Sequence, residues 1–152
     1  MSQRAAIRIG MAMLLLILGV SCGLKTPPRL PGVEPPPRVE NLNGEWEGRE
    51  IVLTGKPAGA EGRESGPLSI SGARVYHAWY GPGKRPCEGC PISYGGYLEA
   101  VPEKGPAGAI ICRVPMERDA GTHFFEVRLV GRGNAVGPAS DRIKLVVEAP
   151  PE

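Results

Sequence analysis

Short segments in which apolar and polar residues alternate, separated by glycine and proline, fill the chain from about Val39 onward. In residues 49–55, for example, Ile51 and Leu53 fall on one face, and this two-residue period is typical of a half-buried β-strand. No segment shows a convincing 3.6-residue period. The candidate strands are residues 49–55, 73–81, 94–101, 109–116, 123–131 and 141–149. The 22 glycines and 17 prolines supply turns between them. Residues 39–148 are therefore predicted to form one all-β sandwich.

The first 21 residues have the composition of an export signal. Arg4 and Arg8 give a positive start, and residues 11–20 are an apolar run that is shorter than the roughly 20 residues of a membrane-spanning helix. Without residues 1–21, the 18 basic and 16 acidic residues of the chain become 16 of each. The mature chain is then formally neutral, which gives nucleic-acid binding no electrostatic support.

Cys22 follows this segment directly. Together with Val20 and Ser21 it resembles the end of a bacterial lipoprotein signal, in which the chain is cut before a cysteine that carries the lipid. The leucine position of that pattern holds Gly19, and Leu18 lies one place earlier. The resemblance implies cleavage between Ser21 and Cys22 and acylation of Cys22. An ordinary signal peptide with an incidental cysteine, or an uncleaved membrane anchor, would also fit the segment.

The lipid expected on Cys22 would be the link to the membrane. At about 0.8 kcal/mol for each buried methylene, several acyl chains anchor a protein almost permanently. Gly23, rather than aspartate, follows the cysteine. By resemblance to enterobacterial sorting this implies a periplasm-facing lipoprotein of the outer membrane of a Gram-negative bacterium, with the inner membrane as the alternative.

Residues 22–38 are predicted to be a proline-rich tether. Prolines 27, 28, 31, 35, 36 and 37 lack a backbone donor and fix φ, which excludes helix and central strand. A polyproline II chain rises about 3.1 Å per residue, so a dozen residues would hold a domain about 35–40 Å from the lipid. A docking motif for a partner groove is the alternative.

The beginning of this tether, "CGLK" followed by Pro27, also resembles the Cys-Gly-Leu-Lys-Gly-Pro opening of short lipoproteins that assist maturation of the lipopolysaccharide translocon. Thr26 departs from that pattern. The resemblance covers about six residues. It implies an accessory role in translocon maturation as one alternative function.

Residues 37–147 resemble the fibronectin type III family in the order and spacing of their segments. "IVLTGKP" resembles the second strand, with Gly55 in the family's tryptophan position, and "RVYHA" resembles the third strand. "GPAS", residues 137–140, resembles the loop before the last strand. The resemblance implies an immunoglobulin-like β-sandwich and no established catalytic activity. Residues 149–152 are predicted to be a disordered tail.

Cys87 and Cys90 lie in a Pro-Cys-x-x-Cys-Pro loop after the third strand, as in small exported bacterial lipoproteins with a domain of this kind. A local disulfide is predicted, because thiols beyond the inner membrane are oxidised. A redox centre is an alternative, although it commonly needs a helix N-terminus that the sequence does not predict. A metal site completed by His77 and Cys112, free thiols, and pairing with Cys112 also stay open. Cys112 is otherwise predicted to be a core residue.

His77 and His123 have no serine, cysteine or carboxylate at the spacing that nucleophilic catalysis uses, and each is predicted to be a structural or surface residue. The sequence thus predicts no catalytic residue, no metal site and no cofactor. The predicted function is a lipid-anchored lipoprotein of the cell envelope. Its sandwich would be a non-catalytic binding or scaffolding module for an unidentified envelope protein. Thiol-redox or metal-binding chemistry at Cys87 and Cys90 is the alternative, besides translocon maturation.

Overall fold

The computed structural model describes residues 35–59, 70–84, 86–87 and 89–148. The predicted signal peptide (1–21), the predicted lipidation site Cys22, most of the tether and the predicted tail (149–152) lie outside the described residues. Within the ranges that are described, no helix is long and apolar enough to cross a membrane.

Eight strands in the described part of the chain form two four-stranded antiparallel sheets. They are β1 (Val39–Glu47), β2 (Glu50–Pro57), β3 (Ile70–Tyr80), β4 (Tyr97–Ala100), β5 (Glu103–Lys104), β6 (Ile110–Pro115), β7 (Gly121–Gly131) and β8 (Ile143–Val147). Sheet 1 has the order β1-β2-β6-β5, and sheet 2 has the order β4-β3-β7-β8. Immunoglobulin-like sandwiches pair their strands as ABED and CFG, and β4 is then an extra strand beside C. The predicted all-β sandwich is confirmed.

The core lies between the two sheets and follows the two-residue period of the strands. The inward side chains of β2 and β7 are at most 1% exposed, namely Ile51, Leu53, Phe125, Val127 and Leu129. Each such residue contributes about 1.5–3 kcal/mol through burial. β7 pairs with β3 on one side and with β8 on the other, so its inward residues occupy the centre of the core. The common face predicted for Ile51 and Leu53 is confirmed.

The sequence pattern does not predict β1, because a β-bulge interrupts its alternation. The pairing of β1 with β2 shifts between Glu40 and Asn43, and Asn41 has a φ of 51°. A bulge adds one residue to a strand and so reverses the phase of the alternation. Val39 and Trp46 therefore both pack on the core, although an odd number of positions separates them.

Gly55 of β2 lies opposite this bulge. A Cβ atom at this position would collide with the side chain of Val39 and would lie 3.1 Å from the carbonyl oxygen of Glu40. The tryptophan of the fibronectin type III pattern therefore has no room here. Trp46 of β1 supplies an indole ring instead, with its centroid 6.4 Å from that of Phe125.

Two smaller differences from the predicted strands concern β4 and β5. β4 covers only the second half of the predicted segment 94–101. β5 was not predicted, because two exposed charged residues carry no apolar pattern. It pairs with β6 and forms one edge of sheet 1.

The last residues of the predicted tether pack on the sandwich. Pro36 is buried, and Arg38 forms an ion pair with Asp141 just before β8. The backbone N–H of Ala58 donates to the carbonyl of Arg38 at 2.7 Å. The chain is therefore held to the sandwich from about Pro36 onward.

Candidate binding surface

The side of sheet 2 that faces away from sheet 1 carries aromatic and cationic side chains, and we name it the aromatic–cationic face. It consists of Arg74, Tyr76 and Tyr80 of β3, Tyr97 and Glu99 of β4, Phe124, Glu126 and Arg128 of β7 and Lys144 of β8, with Tyr94 and Arg142 from adjoining loops. Tyr76 is paired with Tyr97 on one side and with Glu126 on the other. Because strand residues alternate between faces, these side chains point away from the core residues Val75 and Phe125.

Stacking fixes the side chains at the centre of this face. The guanidinium carbon of Arg74 lies 4.4 Å from the ring centroid of Tyr97, and that of Arg128 lies 5.2 Å from the centroid of Tyr76. The Tyr76 ring also contacts the rings of Tyr97 and Tyr94, at centroid distances of 5.7 and 5.8 Å. Each exposed cation–π contact contributes about 0.5–1 kcal/mol. Tyr97 remains 43% exposed, so a preorganised surface is open to a partner.

This face has more cations than carboxylates, namely Arg74, Arg128, Arg142 and Lys144 against Glu99 and Glu126. Glu126 pairs with Arg128 at 3.3 Å. Burial, and then the nearby Glu126 carboxylate, raises the pKa of Tyr94 to about 12, so its hydroxyl stays protonated at neutral pH. Arg142 and Lys144 have no carboxylate within ion-pair distance in the described ranges.

The loop between β3 and β4 folds back over one end of the aromatic–cationic face. Thr122 and Phe124 point outward from β7, yet they are only 3% and 8% exposed, because the loop covers them. A cleft of about 480 Å³ lies between this loop and the beginning of β8. Thr122 and Phe124 line it from β7, Cys87, Cys90 and Ile92 from the loop, and Arg142 and Lys144 from the β8 side. The Arg142 guanidinium lies 5.5 Å from the ring centroid of Phe124.

A disulfide between Cys87 and Cys90 closes the tip of this loop. The two Cα atoms lie 5.3 Å apart, which is usual for such a bond. The backbone N–H of Cys90 donates to the carbonyl of Cys87 at 3.1 Å. Gly89 has a φ of 80°, a conformation that glycine adopts without a steric penalty. The disulfide therefore gives one wall of the cleft a fixed shape.

Cys112 is separated from this disulfide by sheet 2. It is a buried free cysteine of β6 in the core, as the sequence predicts, whereas Cys87 and Cys90 lie over the outer side of sheet 2. Burial, and then the charge of Glu103, raises the pKa of the Cys112 thiol to about 11. His77 also points into the sandwich, so the fold does not assemble the metal site considered as an alternative. The described residues contain no group of three or more histidine, cysteine or acidic residues that could hold a metal ion.

His77 and His123 form a hydrogen-bonded pair on the inner side of sheet 2. Nε2 of His123 lies 2.8 Å from the carbonyl oxygen of Asp119. A carbonyl only accepts, so Nε2 of His123 donates, and in this tautomer Nδ1 is the acceptor. Nε2 of His77 lies 3.0 Å from that Nδ1 and donates to it. The His77 ring also stacks on Phe125, at a centroid distance of 4.8 Å.

The sequence pattern places His77 and His123 on separate strands, as structural or surface residues, and does not predict their contact. The register of β3 and β7 sets it, since His77 is paired with Phe125 and Trp79 with His123. The two histidines are thus diagonal neighbours on one face. No local motif marks such a contact, and only the strand register could have predicted it.

Acidification is expected to destabilise the sandwich through His77. Burial, and then the neighbouring His123 ring, lowers the pKa of His77 from 6.5 to about 4. The unfolded chain therefore binds more protons between these values, and the stabilisation present above about pH 6.5 is lost as the pH falls towards 4. Because solvent screens a half-buried ring, we expect a loss of about 1–2 kcal/mol. Urea unfolding from pH 7 to 4 measures it.

The matched variant for this measurement is His77→Gln, whose amide can still donate a hydrogen bond to His123. The difference in unfolding free energy between the wild type and the variant should shrink as the pH falls from about 6.5 to 4. Carboxylates that titrate in this range change the unfolding free energy of both proteins equally, so their contribution cancels in the difference. Parallel pH profiles for the two proteins would exclude His77 as the source.

Comparisons with known proteins give a likeness only at the level of structure. No protein-family model matches the chain, and no curated protein matches it. The chain is similar to the solution structure of the third fibronectin III domain of the human KIAA0343 protein, with 15% sequence identity and a TM-score of 0.48. The alignment covers 86% of this chain and 97% of that one. The order of the strands in the two sheets is what shows the sandwich fold.

Proposed function

We propose that this chain is a lipid-anchored lipoprotein of the cell envelope whose sandwich is a non-catalytic binding module. The export signal, Cys22 and the proline-rich tether of the sequence support the anchoring. By the same sequence resemblance, Gly23 after the lipidated cysteine favours the outer membrane. In this proposal the lipid holds the module at the membrane and the sandwich meets an envelope protein.

The observation that carries the binding role is the aromatic–cationic face. Tyrosine and arginine are enriched at protein interfaces and among the residues that dominate binding energy. Tyr97 and Arg74 are held in a stacked arrangement before any partner arrives, so less conformational entropy is lost on binding. A β-sheet face of this kind suits a broad contact with another protein.

This role is tested with a photo-crosslinking residue at position 97 of the full chain. The protein is produced in the cells to which it belongs, so that it is crosslinked in its own membranes. We expect a defined adduct from position 97, and we expect Arg74→Ala to reduce its yield several-fold, since exposed cation–π and ion pairs are worth up to about 1 kcal/mol. The matched control is position 45, because Glu45 is exposed on sheet 1.

Equal adducts from positions 97 and 45 would contradict a specific face. A third photo-crosslinking residue, at position 30, tests the tether. An adduct obtained only from this position would assign the binding role to the proline-rich segment. It would favour the docking-motif alternative or, if the adduct is a component of the lipopolysaccharide translocon, the accessory role in its maturation.

A further inference from the structure

Two cations lie at alternate positions at the beginning of β8. Arg142 immediately precedes this strand and Lys144 belongs to it, and both line the cleft beside the disulfide loop. Neither has a carboxylate partner in the described part of the chain. The described lining of the cleft contains no acidic residue. The lining of the cleft, as far as the structure describes it, therefore carries two positive charges and no negative one.

The spacing of these cations matches the repeat of an extended chain. A strand rises about 3.3 Å per residue, so alternate side chains on one face lie about 6.6 Å apart. An extended peptide presents its own alternate side chains at the same interval. The next outward residue of β8 is Val146, which is 53% exposed. The strand thus offers two cationic positions and one apolar position in a single register.

The edge of sheet 2 offers a place for such a peptide. β8 pairs with β7 on one side, and no described strand pairs with its other side. An exposed strand edge can bind an extended segment through backbone hydrogen bonds, while alternate side chains give specificity. A small free anion would use neither this edge nor Val146. Charge and register together favour a polypeptide.

We propose that β8 and the adjoining cleft bind an extended acidic segment of a partner protein. Two carboxylates at alternate positions of this segment pair with Arg142 and Lys144, and an apolar residue two positions further on covers Val146. This assignment rests on the proposed binding function and names the chemistry of its partner.

Two synthetic peptides of identical composition test the register. In acetyl-Gly-Glu-Ser-Glu-Ser-Val-Gly-amide the carboxylates alternate, and in acetyl-Gly-Glu-Glu-Ser-Ser-Val-Gly-amide they are adjacent. Amide chemical shifts of the full chain in detergent micelles, followed during titration, report both affinity and location. We expect the alternating peptide to bind about threefold to fivefold more tightly, because its isomer loses one exposed ion pair. The shifts should concentrate at Lys144 and Val146.

Charge variants test the two cations separately. Arg142→Gln and Lys144→Gln should each lower the affinity for the alternating peptide about threefold to fivefold, and the double variant should lower it about tenfold. Arg132→Gln is the matched control, because Arg132 is exposed in the turn after β7, and it should leave the affinity unchanged. Raising the salt from about 0.01 M to about 1 M should weaken binding, since the Debye length falls from about 30 Å to about 3 Å.

Equal affinity for the two isomers would mean adventitious ion pairing only and would overturn the proposal. The proposal would also be overturned if inorganic phosphate displaced the peptide at a concentration similar to that of the peptide. A third contrary outcome is Arg142-dependent binding to phosphatidylglycerol vesicles when neither peptide binds. If the peptides fail while the adduct from position 97 persists, the acidic-segment proposal alone is wrong. If both fail, the binding role of the sandwich is wrong as well.

Discussion

Replacing Phe125 by alanine is expected to lower the free energy of unfolding by about 3–5 kcal/mol. The side chain is fully buried on a strand with neighbours on both sides. Its ring stacks on His77 at 4.8 Å and meets Trp46 edge-on at 6.4 Å, so alanine would leave a cavity between both sheets. Since domains of this size are stable by about 5–15 kcal/mol, the loss is a large part of the total. Urea unfolding of the wild type and the variant measures it.

Tyr97→Ala provides the matched aromatic control. Tyr97 is 43% exposed at the edge of sheet 2, and its contacts with Arg74 and Tyr76 lie on the surface. We expect this variant to lose no more than about 1 kcal/mol. Similar losses for the two variants would show that Phe125 does not occupy the centre of the core.

The strands that sequence could predict are those with an uninterrupted alternation. In β7, Phe125, Val127 and Leu129 repeat at every second position, and the structure buries all three. β1 escaped prediction because the bulge at Asn41 shifts the phase between Val39 and Trp46. A two-residue period can be recognised only where the pairing register is continuous.

The candidate site was less predictable than the strands, because its parts come from distant positions. The alternation of residues in the third strand predicts that Tyr76 and Tyr80 share one face. It does not predict that Tyr97 lies beside Tyr76. It also could not show that the disulfide loop would cover Phe124, since an outward phenylalanine carries no local sign of a covering loop. Such contacts depend on register and loop path, which tertiary packing decides.

Serine in place of Cys22 is expected to abolish acylation of the chain completely. The thioether link to a diacylglycerol requires the cysteine thiol, which serine lacks. In the wild type, acyl chains with several tens of methylenes, at about 0.8 kcal/mol each, would make release from the bilayer negligible. Intact-mass analysis of membrane-extracted protein measures the difference. The wild type should begin at Cys22 and carry acyl mass, whereas the variant should retain residues 1–21 and carry none.

Two further variants test whether acylation depends on the lipoprotein signal and on its cysteine. Cys112→Ser removes the buried free cysteine of the core and should leave the acyl mass unchanged. Gly19→Leu restores the leucine of the lipoprotein pattern and should be processed at least as completely as the wild type. A wild-type chain that is cleaved but carries no acyl mass, together with unimpaired cleavage of Cys22→Ser, would show an ordinary signal peptide. The sandwich would then act without a tether to the membrane, and the proline-rich segment would need another role.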